Sequence, residues 1–219
     1  TEKILSKFIT LNNKILVEKP VILDSKKILK YLNFNKNIYV GYNRIFYKSI
    51  NYLKRKKIRN SYINVFVPET KLINFKKNSC HILSILLFLF GDLKVISKIK
   101  KKNFILVTLK DKNKNFISIN VCFKSTDNFS ITFYNKNNTH VLKPIEKYEY
   151  FKGMKIKKIA NDTIYYPKKI WTKSEYDYTK FKPGFYNMWK SFFKSGKKQH
   201  PNNISFAYKI MKICEEITV

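Results

Sequence analysis

The stretch ILVEKP, at Ile15–Pro20, joins three apolar residues to a charged pair and a proline. A short apolar run that ends at a turn residue is typical of a buried strand, and Pro20 fixes the turn that follows. Asp24 and Ser25 are candidate N-caps of a helix that continues to about Leu32. The stretch therefore predicts a strand, a turn and a helix, with charged side chains at the end of the strand.

The same alternation surrounds this stretch. A second short apolar run, NIYV at Asn37–Val40, predicts another strand, which Gly41 ends. A helix-like pattern follows at Tyr47–Lys57, so residues 1–57 predict the order helix, strand, helix, strand, helix. Strands that alternate with helices indicate a parallel sheet.

The pattern changes after residue 60. Ser61–Val67 predicts a strand, and the strongly apolar Asn78–Phe90 predicts a helix closed by Gly91. Two helices are predicted near the end of the chain, at about Phe185–Lys194 and at Ser205–Ile217. Between the Asn78–Phe90 helix and these two helices lie five short β-rich runs. Turn compositions such as KDKNKN separate several of the runs, which predicts an antiparallel meander. The five runs are Leu93–Ile99, Phe104–Leu109, Phe116–Phe123, Phe129–Tyr134 and His140–Leu142.

The predicted fold class is α/β plus α+β. Part of a parallel sheet comes first, and a domain with an open, mainly antiparallel sheet flanked by helices follows it. We expect the boundary between the two parts near residue 45.

The chain carries a formal net charge of +31, from 45 basic and 14 acidic residues. Such an excess is typical of proteins that bind nucleic acids or membrane surfaces. Only three of the basic residues are arginines, however, and arginine is the side chain whose planar fork reads phosphates and bases. Lys, Asn, Ile, Phe and Tyr are abundant and share AT-rich codons, so codon bias explains the charge more simply. Nucleic acid is therefore not the expected partner, although a functional basic surface stays open.

The three cysteines, Cys80, Cys122 and Cys214, are widely spaced and odd in number, which favours a reducing compartment over a disulfide scaffold. The longest apolar run, Ile82–Gly91, is too short to cross a bilayer, and no signal-peptide pattern is present. We therefore expect a cytoplasmic protein with no membrane partner.

An ordered set of motifs that covers nearly the whole chain resembles the glucose–fructose oxidoreductase and inositol dehydrogenase family (Gfo/Idh/MocA). The family's strand ending in Glu-Lys-Pro, with its capped helix, is similar to LNNKILVEKPVILDSKKI. Its next strand, with Gly-Tyr-Asn-Arg and a helix, is similar to NIYVGYNRIFYKSINYLK, and its His-bearing helix is similar to NSCHILSILLFLFGDLKVI. The closing segments of some surface-glycan members resemble KPIEKYEYFKGMKI, KFKPGFYNMWKSFF and ISFAYKIMKICEEI.

This resemblance implies an oxidoreductase that uses NAD or NADP. It would act on a hydroxyl or keto group of a free or nucleotide-linked sugar, in the biosynthesis of a surface glycan. Residues 1–45 would be the C-terminal remnant of a Rossmann-type dinucleotide-binding domain, and residues 46–219 would bind substrate and mediate oligomerisation. A homo-oligomer that forms through the antiparallel sheet is expected on the same grounds.

The resemblance also implies that Lys19 and His81 are the catalytic pair. Lys19 would orient the substrate or move protons, and His81 would exchange the hydroxyl proton while a hydride moves to or from the nicotinamide. Glu18, Lys19 and Pro20 are implied as cofactor contacts. Without the motif, Lys19 is one surface lysine among 42, and a lone histidine on an apolar helix is more often structural.

Substrate contacts are implied for Tyr42, Asn43, Arg44 and Asn78. The chain uses lysine almost everywhere, so an arginine at this position suggests a geometry that lysine cannot give. A salt bridge across the domain junction is an equal interpretation of Arg44, and core packing is an equal interpretation of Tyr42.

Two features depart from the family pattern. Many members have Asp four residues before the histidine and three residues after it, where this chain has Lys77 and Ser84; Asn78 is the candidate replacement as polar partner. The chain also lacks the G-x-G-x-x-G turn that cradles a pyrophosphate, because no two of its five glycines are close enough. We therefore expect that the first half of the cofactor domain is truncated, separately encoded or lost. The alternatives to an enzyme are an inactive remnant, a protein-interaction module and, less favoured, a basic nucleic-acid-binding protein.

Overall fold

The structure is a computed structural model, and it describes residues 2–9, 13–59, 61–160, 162–194 and 201–219. These residues form a two-stranded sheet, an eight-stranded sheet and a layer of helices. The helices are α1 (Glu2–Phe8), α2 (Ser25–Leu29), α3 (Lys48–Lys56), α4 (Leu72–Asn74), α5 (Cys80–Phe90), α6 (Phe185–Lys194) and α7 (Ile204–Thr218). The strands are β1 (Ile15–Val17), β2 (Ile38–Val40), β3 (Tyr62–Glu69), β4 (Leu93–Lys100), β5 (Phe104–Asp111), β6 (Phe116–Phe123), β7 (Ser130–Asn135), β8 (Asn138–Leu142), β9 (Lys147–Ile159) and β10 (Asp162–Ser174).

The small sheet confirms the parallel arrangement expected for the start of the chain. Strands β1 and β2 pair in parallel, with Ile15 opposite Ile38 and Val17 opposite Val40. Asp24 is the N-cap of α2, and its side chain accepts a hydrogen bond from the Lys26 amide at 2.9 Å. The helix is shorter than predicted, because a separate 3₁₀ turn begins at Leu32.

The large sheet has the strand order β10-β9-β8-β7-β3-β6-β5-β4. Neighbouring strands are antiparallel except for β3 and β6, which pair in parallel with Tyr62 opposite Phe116. The sheet is thus mainly antiparallel, as predicted, but it is not a simple meander, because β3 lies between β6 and β7. The predicted fold class is confirmed.

Helices cover one face of the large sheet. Residues of β3 alternate between buried positions, such as Ile63 and Val65, and half-buried positions on the other face. The buried face joins α5 in one apolar core, in which Ile82 and Leu86 are almost fully buried. Helix α7 packs against α5 and α2 and so connects the two sheets. Within the described residues, no helix is both long enough and apolar enough to cross a membrane.

The hairpin formed by β9 and β10 was not predicted. Its outer part, residues 152–160 and 162–170, is exposed on both faces, so no buried face imposes a sustained alternation there. Pro167 also lies beside a shift in the strand register, and a proline argues against a regular strand. The hairpin contains β-rich residues such as Ile164 and Tyr165, but it lacks the sustained alternation seen in β3.

Candidate active site at the ends of the parallel strands

Lys19 follows the end of β1, where the small parallel sheet meets the helical layer. Gly41, just after β2, donates its amide to the Val17 carbonyl at 2.8 Å and closes this edge of the sheet. Lys19 Nζ donates a hydrogen bond to the main-chain oxygen of Lys77 at 3.0 Å, and the Lys19–Pro20 peptide is cis. Ligands of open α/β sheets bind beyond the carboxyl ends of the strands, which is where Lys19 lies.

His81 lies in the first turn of α5, next to this edge. A single π-helical turn, Phe75–Ser79, leads into the helix, and such turns often occur at functional sites. Ser79 is fully buried, and its hydroxyl donates to the buried Glu69 carboxylate of β3 at 2.5 Å. This hydrogen bond ties the start of α5 to the large sheet and fixes the position of His81.

The imidazole of His81 is held in its neutral form. Its Nδ1 is buried and has no hydrogen-bond partner among the described residues. Burial, and then the positive charges of Lys19, Arg44 and Lys182, hold the pKa of His81 well below its usual range. A neutral imidazole can accept a proton from a bound hydroxyl group.

A cleft of about 530 Å³ opens in front of Lys19. Pro20, Lys77 and Asn78 line it together with Lys19, so the cleft brings two of the three implied cofactor contacts next to one implied substrate contact. Glu18 is exposed and does not line this cleft. The volume lies within the range of small-molecule sites.

Tyr42 and Asn43 are buried rather than directed into the cleft. Tyr42 is fully buried, and its ring stands edge-on to His81 with the centroids 6.2 Å apart. Burial raises the pKa of Tyr42 well above its usual range. The position of Tyr42 matches the packing interpretation rather than a substrate contact. Asn43 donates from Nδ2 to the Pro183 carbonyl at 2.9 Å and so holds the loop that precedes α6.

Arg44 forms a salt bridge with Glu146, in the turn between β8 and β9, at 3.2 Å. The Tyr47 hydroxyl donates to the same Glu146 oxygen, also at 3.2 Å, and the Arg44 guanidinium lies 5.8 Å from the centre of the Phe129 ring. The structure therefore contains a salt bridge of the kind that one of the two interpretations of Arg44 expected. Arg44 also lies close enough to His81 to lower its pKa, so a second role toward substrate is compatible with this position.

Lys182 is a member of the site that the sequence did not reveal. It belongs to the KPG turn that carries Asn43's partner, and its charge contributes to lowering the pKa of His81. Gly184, in the same turn, has a φ of +78°, and a Cβ built on it would lie 2.2 Å from the Asn43 carbonyl oxygen. Only glycine permits this close approach. The KPG sequence indicates a turn, but nothing in it shows that the turn lies beside His81.

No group of three or more His, Cys, Asp and Glu side chains in the described part of the chain could hold a metal ion. The ionisable groups gathered at the site are His81 and the cationic side chains of Lys19, Arg44 and Lys182.

Comparison with known proteins extends the structural observations. No protein-family model matches the sequence, and no curated protein matches it significantly. Solved structures do match. A dehydrogenase (MviM) from Clostridium difficile superposes with a TM-score of 0.72 at 16% identity, over 98% of this chain and 74% of that one.

Two further matches name a cofactor or a substrate. A protein described as a candidate NADPH-dependent oxidoreductase from Desulfitobacterium hafniense superposes with a TM-score of 0.76 at 10% identity, over 99% of this chain and 73% of that one. UDP-N-acetylglucosamine 3-dehydrogenase GnnA from Acidithiobacillus ferrooxidans superposes with a TM-score of 0.73 at 8% identity, over 98% of this chain and 73% of that one. These neighbours are dehydrogenases of the Gfo/Idh/MocA type. At such low identities the shared property is the fold, and this fold is the one that the resemblance implied.

Proposed function

We propose that this chain, which has the fold of Gfo/Idh/MocA-type dehydrogenases, works as an NAD(P)-dependent oxidoreductase on a hydroxyl or keto group of a sugar. The observation that carries the proposal is the position of Lys19 at the edge where ligands of parallel sheets bind, close enough to the His81 imidazole for its charge to help lower the pKa of that histidine. The name of the neighbour GnnA adds support for a nucleotide-linked sugar.

The residues present fit the reactive end of a nicotinamide cofactor. The cleft at Lys19 and Pro20 can accept a ring, and His81, which lies near Lys19 but outside the lining of this cleft, supplies as a neutral imidazole the proton acceptor that alcohol oxidation needs. The sequence has no glycine-rich turn for the pyrophosphate, so these residues account for the reactive end alone. A bound nicotinamide would accept or supply the hydride.

In the direction of oxidation, His81 takes the proton from the substrate hydroxyl. The Lys19 ammonium stabilises the negative charge that develops on the oxygen. Three neighbouring cations oppose a positive charge on the imidazole, so His81 releases this proton readily. In the reverse direction the same property makes protonated His81 a strong acid toward a developing alkoxide. The burial of Tyr42 against the imidazole keeps the ring in one orientation.

The charge of the site favours a substrate that carries an anionic group. Lys19, Arg44 and Lys182 all act on His81, and Glu146 is the one carboxylate that the described residues pair with any of them. A phosphate or diphosphate near this cluster would offset the remaining positive charge. This balance supports a nucleotide-linked sugar over a free sugar, in surface-glycan biosynthesis as the motifs imply.

The decisive experiment supplies the 219-residue chain with NAD or NADP and UDP-N-acetylglucosamine and follows nicotinamide absorbance. Saturation-transfer NMR with the same sugar nucleotide detects binding when turnover is absent. Binding of the sugar nucleotide that His81→Gln or Lys19→Met weakens supports the proposed site. Neither turnover nor binding with any nucleotide sugar or free sugar of a panel would contradict the proposal.

We also propose that the chain forms a homo-oligomer through the uncovered face of the large sheet. The accessible surface of the whole chain is 13074 Å², whereas a monomeric protein of 26.2 kDa exposes about 10,600 Å². The uncovered face carries exposed apolar residues, among them Tyr62, Leu106, Phe116 and Tyr134. Surplus surface with apolar side chains is typical of faces that bind another protein, and this face is the one that the family uses.

A further inference from the structure

A second cavity, of about 360 Å³, lies away from the Lys19 cleft and shares no lining residue with it. It opens between the C-terminal end of α3 and the turn that joins β7 to β8. Lys56, Lys57 and Arg59 line one side of it, and no carboxylate lines it among the described residues. Arg59 is one of only three arginines in the chain, so at least one of these cations is not explained by the general abundance of lysine.

The polar groups on the opposite wall present donors. Asn135 Nδ2 donates to Asn138 Oδ1 at 2.9 Å, and Asn135 Oδ1 accepts from the Ser61 hydroxyl. Each of the two amide oxygens thus already accepts one hydrogen bond, and the NH₂ group of Asn138 is a donor that these bonds do not use. The Ile58 carbonyl, also at this cavity, accepts from Asn115 Nδ2 at 3.3 Å.

His140 adds one more donor. Burial, and then the nearby charge of Lys56, lower the pKa of His140 to about 4, so the ring is neutral near pH 7. Its Nδ1 lies 2.7 Å from the buried Tyr148 hydroxyl, whose own pKa is raised by burial, so that the hydroxyl stays protonated. In the tautomer in which this hydroxyl donates to Nδ1, the ring proton of His140 is on Nε2, and His140 lines the cavity.

Aromatic faces complete the wall. The rings of His140 and Tyr150 stack with their centroids 4.9 Å apart and their planes at 17°, and Tyr150 is half-buried at the cavity. Tyr52 lines the same cavity, with the Lys56 ammonium 5.3 Å from its ring centre. A flat or sugar ring has a surface to lie against beside the cationic groups.

We propose that this cavity binds a small phosphate ester that carries a ring, with its phosphate held by Lys56, Lys57 and Arg59 and its ring against Tyr52 and Tyr150. A phosphate has only acceptor oxygens, which suits a wall that offers donors from Arg59, Asn138 and His140. The cavity volume falls in the range of sites for such ligands. This proposal does not depend on the oxidoreductase function, because none of these residues belongs to the His81 site.

The chain has three histidines, so imidazole NMR signals can report the two regions separately. AMP, added to the 219-residue chain at moderate salt, is expected to shift the His140 signal, which the variant His140→Gln identifies. The double variant Lys56→Gln/Arg59→Gln is expected to weaken this binding by about tenfold or more, because charge-assisted hydrogen bonds to phosphate are lost. The matched control is Lys152→Gln/Lys155→Gln, which removes the same charge from the exposed part of β9, and it should change the affinity by less than about twofold.

Adenosine, which lacks the phosphate, and inorganic phosphate, which lacks the ring, are the comparison ligands. Weaker binding of both than of AMP, with the same His140 shift, supports the proposed occupant. Three results would overturn it: adenosine that binds as well as AMP, a control variant that weakens binding as much as the cavity variant, or an AMP-induced shift of His81 without any shift of His140. Because circular dichroism shows whether each variant folds, an unfolded Arg59 variant would be replaced by Lys56→Gln alone.

Discussion

Lys19 Nζ donates its hydrogen bond to the main-chain oxygen of Lys77, 58 residues further along the chain, and so joins the end of β1 to the segment that leads into His81. We expect Lys19→Met to lower kcat/KM by about 10²-fold or more, because the substitution removes the cation beside the reacting oxygen. The measurement is nicotinamide absorbance with UDP-N-acetylglucosamine, or the affinity of the sugar nucleotide where turnover is absent.

The control for this change is Lys94→Met, which removes an exposed lysine of β4 on the other sheet. It lowers the net charge of the chain by the same amount and should leave kcat/KM unchanged. If both variants lost activity equally, the general charge of the protein, rather than the position of Lys19, would be responsible.

The low pKa of His81 predicts the pH dependence of the site. The neutral imidazole is the form that accepts a proton, so oxidation should stay at its full rate as the pH falls to about 6.5 and should decline only below that value. The stability of the folded chain should also decrease as the pH falls. The unfolded chain binds a proton to this histidine at a higher pH than the folded chain does, so the free energy of unfolding falls as the pH drops below about 6.5.

Two measurements check the His81 prediction. An NMR titration should show the His81 imidazole still neutral where a histidine in a short peptide is half protonated. Acidification should then destabilise His81→Gln less than the unmodified chain in urea unfolding, and the difference between the two proteins cancels the contribution of His140. A His81 signal that titrates near pH 6.5 would show that neither burial nor the three cations lower its pKa.

Strands with one buried face were predictable from the sequence, because burial on one side imposes alternation, as at Ile63, Val65 and Val67 of β3. The parallel pairing of β3 with β6 was not, because it depends on contacts between distant parts of the chain rather than on a local turn. The exposed β9–β10 hairpin gave no pattern for a different reason, since neither of its faces is buried over most of its length.

The candidate site shows the same difference between local sequence features and contacts between distant parts of the chain. The motif around Lys19 and the helix that carries His81 are local features, and the structure brings them together. Lys182 reaches His81 only because Gly184 packs against Asn43, which is 141 residues away in sequence, and no local pattern encodes this contact. The burial of Tyr42 depends in the same way on α7, whose Phe206 ring stands edge-on to it.

The contact between Gly184 and Asn43 predicts a large effect of one methyl group. We expect Gly184→Ala to lower the free energy of unfolding by roughly 3 kcal/mol or more, because φ is +78° and the new Cβ would meet the Asn43 carbonyl oxygen. Gly153→Ala is the matched control. Its φ is +67° and its Cβ would meet nothing within 4 Å, so it should cost only about 1 kcal/mol. Urea unfolding of the two variants separates the close contact from the backbone strain, and equal losses would contradict the contact.

The Arg44–Glu146 pair separates two roles of Arg44. Both side chains are about one-fifth exposed, so a double-mutant cycle with Arg44→Gln and Glu146→Gln should give a coupling energy of about 1 kcal/mol in thermal or urea unfolding. If Arg44 also holds the substrate, Arg44→Gln should raise KM for the sugar nucleotide, whereas Glu146→Gln should not. Equal effects of both variants on KM would show that Arg44 acts through the junction alone.

The uncovered face of the large sheet predicts how the chain assembles. Leu106 of β5 and Phe116 of β6 are exposed on this face, near the stacked rings of Tyr62 and Tyr134, whose centroids lie 5.8 Å apart. Placing two lysines there should prevent a second sheet from packing against it, because burying an unpaired ammonium in an interface is costly. We expect the unmodified chain to sediment as an oligomer and Leu106→Lys/Phe116→Lys to sediment as a monomer.

The control for the assembly prediction is Leu29→Lys, which adds a lysine at an equally exposed apolar position of α2, in the helical layer. Its mass in solution should match that of the unmodified chain. Because the substituted side chains are exposed in the single chain, the far-ultraviolet circular dichroism of all three proteins, which reports secondary structure, should agree. An unmodified chain that sediments as a monomer at all concentrations would exclude the sheet face as an interface between copies.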